Sequence, residues 1–124
     1  MRVSPRLTLS GERAILAALE LHVRESVDDI NRAAERNRAL PFLYRSGVRY
    51  MRNDPQERWQ LPSETMQRGG GDCEDLAAWR AAELRIAGEP ARVVITRSAP
   101  GVLHAVVRRA DGTIEDPSRR LGMR

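Results

Sequence analysis

The segment Gly69-Gly70-Gly71-Asp72-Cys73-Glu74-Asp75 is a glycine-rich turn that holds the only cysteine of the chain. It runs directly into a segment whose apolar residues recur at helical spacing, at Leu76, Ala77, Ala81, Leu84 and Ala87. Gly88 and Pro90 then supply a helix end. Because Cys73 lies on the same arc, the sequence predicts a thiol at the start of a helix over about residues 74–87, next to backbone N–H groups that the helix leaves unbonded.

Two runs rich in β-forming residues follow this helix, at residues 91–97 and 102–108. His104 lies inside the second run. The pair Asp111-Gly112 then indicates a hairpin into a short strand that ends at Asp116. The order along the chain is therefore a cysteine on a helix, a histidine on one strand and an aspartate on the next.

The length of the hairpin loop decides whether His104 and Asp116 meet, because successive strand residues face opposite sides of a sheet. A two-residue loop at the Asp-Gly pair would turn Asp116 away from His104. A three-residue loop over 110–112, with a positive φ at Gly112, pairs Asp116 with Val106 and makes it a diagonal neighbour of His104. We predict the three-residue loop.

The N-terminal part predicts a long helix. Ser10 is a suitable N-cap, and one helical face then carries Leu16, Leu19, Val23, Val27, Ile30 and Ala34. Ser26, with Asp29 three residues on, offers an alternative start for a second helix, and in either case the helical part ends before Pro41. His22 falls between face positions, so we expect an ordinary, partly exposed histidine.

The middle of the chain has no clean period. We expect irregular structure over residues 41–51 with a short strand near 48–51, a turn at Asn53-Asp54-Pro55, and a short helix that begins at Pro62-Ser63 and ends at the three glycines.

Length and composition indicate one domain. At 124 residues the chain supports a single core, with an N-terminal helical part at about 10–40 and a catalytic-type core at about 41–124. No apolar run approaches the roughly 20 residues that span a bilayer, and no secretory signal is evident, so we expect no membrane and an intracellular location. One cysteine and two histidines are too few for a structural zinc site, so neither a metal nor another cofactor is predicted.

The charge pattern leaves two interpretations open. All 21 basic residues are arginine, and the net charge is +4. Arginine forks suit phosphate and carboxylate partners, whereas a solvated surface rich in arginine explains the same count without a partner. The arginines are scattered among 17 acidic residues and aromatics make up 4% of the chain, which argues against nucleic-acid binding.

Jointly, the three residues outline a nucleophilic site, although an isolated cysteine is more often an inert buried residue. Cys73 would attack a carboxamide or peptide carbonyl, His104 would take and return the proton, and Asp116 would fix the imidazole tautomer. The acids that flank Cys73 oppose a thiolate, so a nearby imidazolium is needed to hold that charge.

These residues resemble the transglutaminase-like cysteine-enzyme superfamily, with a papain-like core. The resemblance rests on Gly71-Asp72-Cys73-Glu74-Asp75, on His104 in its Ala-Val-Val strand, and on Asp116-Pro117, and it covers residues 69–118. It implies an α+β fold in which the cysteine helix packs on a small antiparallel sheet, and a site formed by Cys73, His104 and Asp116. Members include protein cross-linkers, peptidases, deamidases and inactive structural relatives, and small phage and prophage proteins are similar.

Three functional hypotheses follow. The first is a cysteine enzyme that acts on amide bonds of a protein or peptide through a thioester, with hydrolysis preferred to acyl transfer. The second is a non-catalytic assembly protein, for example in a phage virion, which sets the location as cytoplasmic or virion-associated. The third is an arginine-rich nucleic-acid binder. For the enzyme, we expect further oxyanion or supporting groups from Gln67, with Gln60, Trp59 and Asp72 as the other candidates.

Overall fold

The computed structural model describes residues 9–52 and 58–124. Within these ranges, four helices, one 3-10 turn and five short strands follow in chain order: α1 (Leu9–Glu35), the 3-10 turn (Leu43–Arg45), β1 (Arg49–Tyr50), α2 (Pro62–Arg68), β2 (Gly70–Gly71), α3 (Cys73–Ile86), β3 (Arg92–Ala99), β4 (Val102–Arg108), β5 (Ile114–Glu115) and α4 (Pro117–Arg120). The α+β fold class is confirmed, with the cysteine on a helix.

A three-stranded antiparallel sheet in the order β3-β4-β5 forms the floor of the core. α3 lies against it through a row of small residues, and α1 packs on both. The shared cluster includes Leu19, Val23, Cys73, Ala77, Ala78, Ala81, Val93, Ala105 and Val107. Because alanine side chains are short, the axis of α3 lies close to the sheet, which brings Cys73 at its first turn against β4.

A second apolar cluster lies at the other side of α3. It joins the 3-10 turn and α4 to the helix through Leu43, Val48, Leu76, Trp79 and Leu121. Trp79 is fully enclosed there, so the indole is a packing group. This cluster holds the chain after β5 against α3.

α1 is one continuous helix, so the alternative second helix at Ser26 is wrong. The Ser26 hydroxyl donates to the carbonyl of His22 at 2.8 Å, within the helix, and therefore caps nothing. The helix ends where Asn37 adopts a left-handed φ of 57° and the N–H of Arg38 donates to the Ala33 carbonyl at 2.8 Å.

The predicted three-residue hairpin loop is confirmed. The Arg109 N–H donates to the Thr113 carbonyl at 2.8 Å, which leaves residues 110–112 as the loop. Gly112 has φ +88°, the left-handed conformation that this loop requires. The ladder pairs Val107 with Glu115, so the next step of the same register sets Asp116 opposite residue 106.

The short strand before Met51 and the short helix at Pro62 are also confirmed, whereas the turn expected at Asn53-Asp54-Pro55 lies outside the described residues. Among the helices in 9–52 and 58–124, none combines the length and the apolar character needed to cross a bilayer. The longest, α1, carries charged residues along its length.

Candidate active site

The turn before α3 is fixed by a capping box. The Asp72 carboxylate accepts the N–H of Cys73 at 2.6 Å, and the Asp75 carboxylate accepts the N–H of Asp72 at 3.0 Å. Reciprocal capping satisfies backbone donors that the first helical turn leaves open. Asp72, expected as a supporting group, thus acts here as the N-cap of α3.

His104 and Asp116 lie on the same face of the sheet and are in contact. Nε2 of His104 lies 2.9 Å from Oδ2 of Asp116. Asp116 is also the N-cap of the short helix α4, because its Oδ1 accepts the Arg119 N–H at 3.3 Å. The acid is therefore held from the backbone side while it faces the imidazole, and the contact favours the tautomer with the proton on Nε2.

The sulfur of Cys73 reaches β4 beside His104. Ala105 and Cys73 share one buried cluster, and the backbone N–H of Ala105 lowers the pKa of the thiol. This N–H points to the same side as that of Arg109, toward β5. In the hairpin register its strand partner would be Pro117, which has already entered α4, so β5 does not continue alongside Ala105.

The thiol of Cys73 donates its proton to a buried carboxylate. Cys73 is 2% exposed, and its Sγ donates to Oε2 of Glu74 at 3.0 Å. Glu74 is 0% exposed, and its Oε1 has no hydrogen-bond partner in the described part of the chain. Sequence reasoning missed this pair, because helical periodicity places Glu74 off the apolar arc while the first turn of α3 is enclosed on all sides.

The electrostatics of the resting site favour a neutral thiol. Burial raises the pKa of Cys73, the Glu74 carboxylate raises it further, and the Ala105 N–H opposes both. Burial likewise raises the pKa of Glu74, with Asp72 adding to the effect. Thiolate formation in this geometry therefore requires a proton acceptor close to the sulfur.

A buried network of hydrogen bonds holds the turn that precedes α3. Oδ1 of Asp75 accepts the N–H of Gln60 at 2.7 Å, and the Gln60 side-chain amide donates to the hydroxyl of Thr65 and to the carbonyl of Gly70, each at 3.1 Å. Gln60, ranked below Gln67 from the sequence, thus contacts the turn directly. Burial raises the pKa of Asp75 to about 7, against the opposing effect of the two N–H donors.

The pKa of Asp75 predicts a pH-dependent stability. Below about pH 7 the Asp75 carboxyl of the folded protein is protonated. In the unfolded chain the same carboxyl stays ionised until the pH falls to about 4. Folding therefore takes up a proton in this window, and the contribution of Asp75 to stability grows as the pH falls from about 8 to about 5. We expect the difference in unfolding free energy between wild type and Asp75→Asn to grow by about 1–3 kcal/mol over that range, measured by urea unfolding.

The matched control is Asp28→Asn, which removes an exposed carboxylate on α1. Its difference from wild type should stay constant across the same range. Parallel stability curves for wild type and Asp75→Asn would show that the network holds no proton at neutral pH.

The remaining predicted groups lie elsewhere on the surface of the core. Gln67 is exposed and lines a cavity of about 400 Å³ between α1 and α2, together with Asp29 and Met66. Trp59 is half-buried and packs on the ring of His22, with centroids 5.4 Å apart. The structure pairs His104 with Asp116 and packs Cys73 in the same buried cluster as Ala105, the residue next to His104, whereas Gln67 lies on a different surface.

His22 is a correction to the sequence prediction. The ring is 5% exposed rather than partly solvated, because the segment before α2 covers it with Trp59. Burial lowers the pKa of His22, while Glu25 and a backbone hydrogen bond with Gln60 oppose the change. No helical-face pattern within α1 signals a partner that is more than thirty residues away.

One group of possible metal-ligand atoms exists among the described residues. The ligand atoms of Asp72, Cys73 and Glu74 lie within 4.8 Å of one another. The Asp72 carboxylate already caps Cys73, and Glu74 accepts the thiol proton. A protonated thiol between two hydrogen-bonded carboxylates is a poor donor set for either a hard or a soft cation.

A comparison with protein families decides the affiliation. A family model described as the transglutaminase-like superfamily matches residues 17–112. The chain belongs to the transglutaminase-like superfamily. The match begins inside α1 and ends in the hairpin loop, so it includes Cys73 and His104, and Asp116 follows it. Searches of curated proteins and of solved structures gave no significant match.

Proposed function

We propose that this member of the transglutaminase-like superfamily hydrolyses amide bonds through a thioester, with Cys73 as nucleophile, His104 as base and acid, and Asp116 as the group that orients the imidazole. The observation that carries the proposal is the 2.9 Å contact between Nε2 of His104 and Oδ2 of Asp116. The contact lies next to Ala105 in the middle of β4, and Cys73 packs in the same buried cluster as Ala105. A paired imidazole beside a thiol is the arrangement that cysteine nucleophiles require.

The reaction proceeds in two balanced steps. The thiol proton passes to Nδ1 of His104, the sulfur bonds to the substrate carbonyl carbon, the C–N bond breaks, and the amine leaves with that proton. Water then attacks the thioester, the acid product leaves, and the thiol regains its proton through His104. Asp116 remains ionised and stabilises the imidazolium that forms in each step.

The resting geometry must open before the first step. The thiol has to turn about its side-chain torsion from Glu74 toward His104, a change between staggered rotamers. In this proposal the Cys73 N–H donates to the developing oxyanion, and it is now bound to the Asp72 carboxylate at 2.6 Å. The oxyanion would replace that carboxylate as acceptor, so substrate binding and thiol release are coupled in this proposal.

Water is the acyl acceptor we favour, and the substrate class is a peptide or a protein carboxamide. The sequence marks no second site for an amine. The chain contains no lysine, so it offers no side-chain amine of its own as an acyl acceptor.

An activated ester tests the proposal without knowledge of the substrate. We expect 4-nitrophenyl acetate to place one acetyl group on Cys73 with release of one equivalent of nitrophenol, visible by intact mass and peptide mapping. Water should then release the group as acetate, and the freed thiol should react again and release a second equivalent of nitrophenol. The single thiol and the absence of lysine keep the background low. Added glycinamide distinguishes transfer from hydrolysis, because an amine acceptor would accelerate deacylation.

Cys73→Ser is the control for labelling elsewhere. Acetylation of folded wild type no faster than that of the same chain in denaturant would contradict an activated thiol.

A second candidate function is a non-catalytic assembly protein that keeps the fold, as in a phage particle. The enclosure of Cys73 and its raised pKa favour this interpretation. It predicts that the thiol stays unreactive in wild type and that Cys73→Ser leaves partner binding intact. The acetylation experiment therefore separates the two candidates.

A further inference from the structure

β5 holds Asp116 in place with very little backbone. The strand pairs two residues with β4, Ile114 and Glu115, before the chain turns into α4. Two ladder pairs alone hold the strand register weakly, since an isolated pair of short strands is only marginally stable in water. A slip of one residue would bring Glu115 to the face of His104 and send Asp116 to the other face.

Side chains on the opposite face reinforce the register that the hairpin loop sets. The Glu115 carboxylate accepts the Tyr44 hydroxyl, Nε of Arg80 at 2.6 Å and Nη1 of Arg109 at 2.8 Å. These donors come from the 3-10 turn, from α3 and from the end of β4. Glu115 is largely enclosed, with a side-chain exposure of 11%, so water screens these ion pairs less than it does surface pairs.

The donors are themselves fixed. Arg80 also bonds to Oε2 of Glu83 at 2.8 Å on α3. The Tyr44 ring lies under two guanidinium groups, with Arg80 4.7 Å and Arg120 4.1 Å from its centroid. Because Arg120 belongs to α4, the network holds the chain on both sides of Asp116.

We propose that Glu115 is a positioning residue of the site, whose contacts with Tyr44, Arg80 and Arg109 fix the strand register and thereby keep the Asp116 carboxylate on Nε2 of His104. Adjacent strand residues face opposite sides, so an anchor on Glu115 sets the direction of Asp116. The inference rests on the proposed function for its catalytic meaning, while its geometric content is measurable without turnover.

The test reads the tautomer of His104. The chain has two histidines, so ¹⁵N NMR of labelled protein in mildly alkaline buffer resolves both rings, with His22 as internal reference. In wild type the proton of His104 should reside on Nε2. In Glu115→Gln, which keeps the size but removes the charge, we expect a mixture of tautomers and a loss of Cys73 alkylation of about tenfold, since a displacement near 1 Å costs up to about 100-fold.

Two further variants serve as the positive and the negative control for this measurement. Asp116→Asn defines the full change in the ring nitrogens. Glu20→Gln removes another part-buried pair, with Arg85 at 2.6 Å, between α1 and α3, and should leave the tautomer and the alkylation rate as in wild type. A folded Glu115→Gln protein with the wild-type tautomer and rate would overturn the inference.

Tyr44→Phe provides a second test in case Glu115→Gln does not fold. Tyr44→Phe keeps the ring between the guanidiniums and removes one donor to Glu115, so a smaller change in the same direction is expected, and no change would overturn the inference. If the tautomer responds while wild-type Cys73 proves unreactive, positioning by Glu115 stands and the hydrolase proposal fails. If Cys73 of the wild type is reactive and the His104 tautomer does not respond to Glu115→Gln, the hydrolase proposal stands and positioning by Glu115 fails.

Discussion

In the His104→Ala variant, alkylation of Cys73 by iodoacetamide near neutral pH is expected to be slower than in wild type by about tenfold or more. The physical reason is the environment of the sulfur. Burial and Glu74 raise the pKa of Cys73, so the thiol ionises at neutral pH only if a nearby group accepts its proton. His104, one residue from the amide that contacts the sulfur, is that acceptor in the proposed mechanism.

The same experiment separates the role of Asp116 from its role as a helix cap. Asparagine caps a helix as well as aspartate does, so Asp116→Asn should keep α4 while it removes the negative charge beside the imidazole. We expect an intermediate loss in alkylation rate. Asp111→Asn, on the exposed loop of the same hairpin, is the matched control and should react like wild type.

The chain contains one cysteine, so total incorporation of label measures Cys73 alone. The pH profile adds a second readout, because His104→Ala should recover its rate only at alkaline pH, where the thiol ionises without a base. Equal and slow labelling of wild type, His104→Ala and Asp116→Asn would remove the enzyme proposal and leave the assembly role.

The sequence predicted those parts of the site that depend on local rules. The boundaries of α3 followed from its periodicity and from the glycine and proline after the last turn. The hairpin register followed from turn chemistry, because a left-handed glycine at 112 fits a three-residue loop and that loop fixes which residue faces His104. Such features involve residues close together in the chain, and their conformational preferences add up to one answer.

Other parts depend on packing between distant segments. Glu74 lies off the apolar arc of α3, yet the surrounding elements enclose it completely. Gln60 precedes the short helix α2 and Gln67 lies in its last turn, and which of them contacts the cysteine turn depends on how that helix docks. Helical periodicity gives the direction of a side chain relative to its own helix, but not which other elements cover it.

The second large effect is expected from Gly70→Ala, which should lower the free energy of unfolding by about 2–3 kcal/mol. A Cβ on Gly70 would overlap with Sδ of Met51 and lie 2.7 Å from the carbonyl oxygen of Arg49. Gly70 pairs with Arg49 in the parallel β1-β2 bridge, so the backbone oxygen cannot withdraw unless that bridge opens. The turn that carries Cys73 follows directly, and alkylation of Cys73 should change as well.

The neighbouring Gly69 supplies a control for the backbone. It has φ +79°, and a Cβ at this position would meet no atom within 4 Å, so Gly69→Ala costs only the left-handed conformation, about 1 kcal/mol.

Truncation at Met51 separates the two contacts of Gly70. In Met51→Ala/Gly70→Ala the sulfur contact is gone and the carbonyl contact remains, so chemical denaturation should show a partial recovery relative to Gly70→Ala. Full recovery of the unfolding free energy would mean that the Met51 side chain alone makes glycine necessary at position 70. Equal losses of unfolding free energy in Gly69→Ala and Gly70→Ala would show that the β1-β2 bridge opens at no measurable cost.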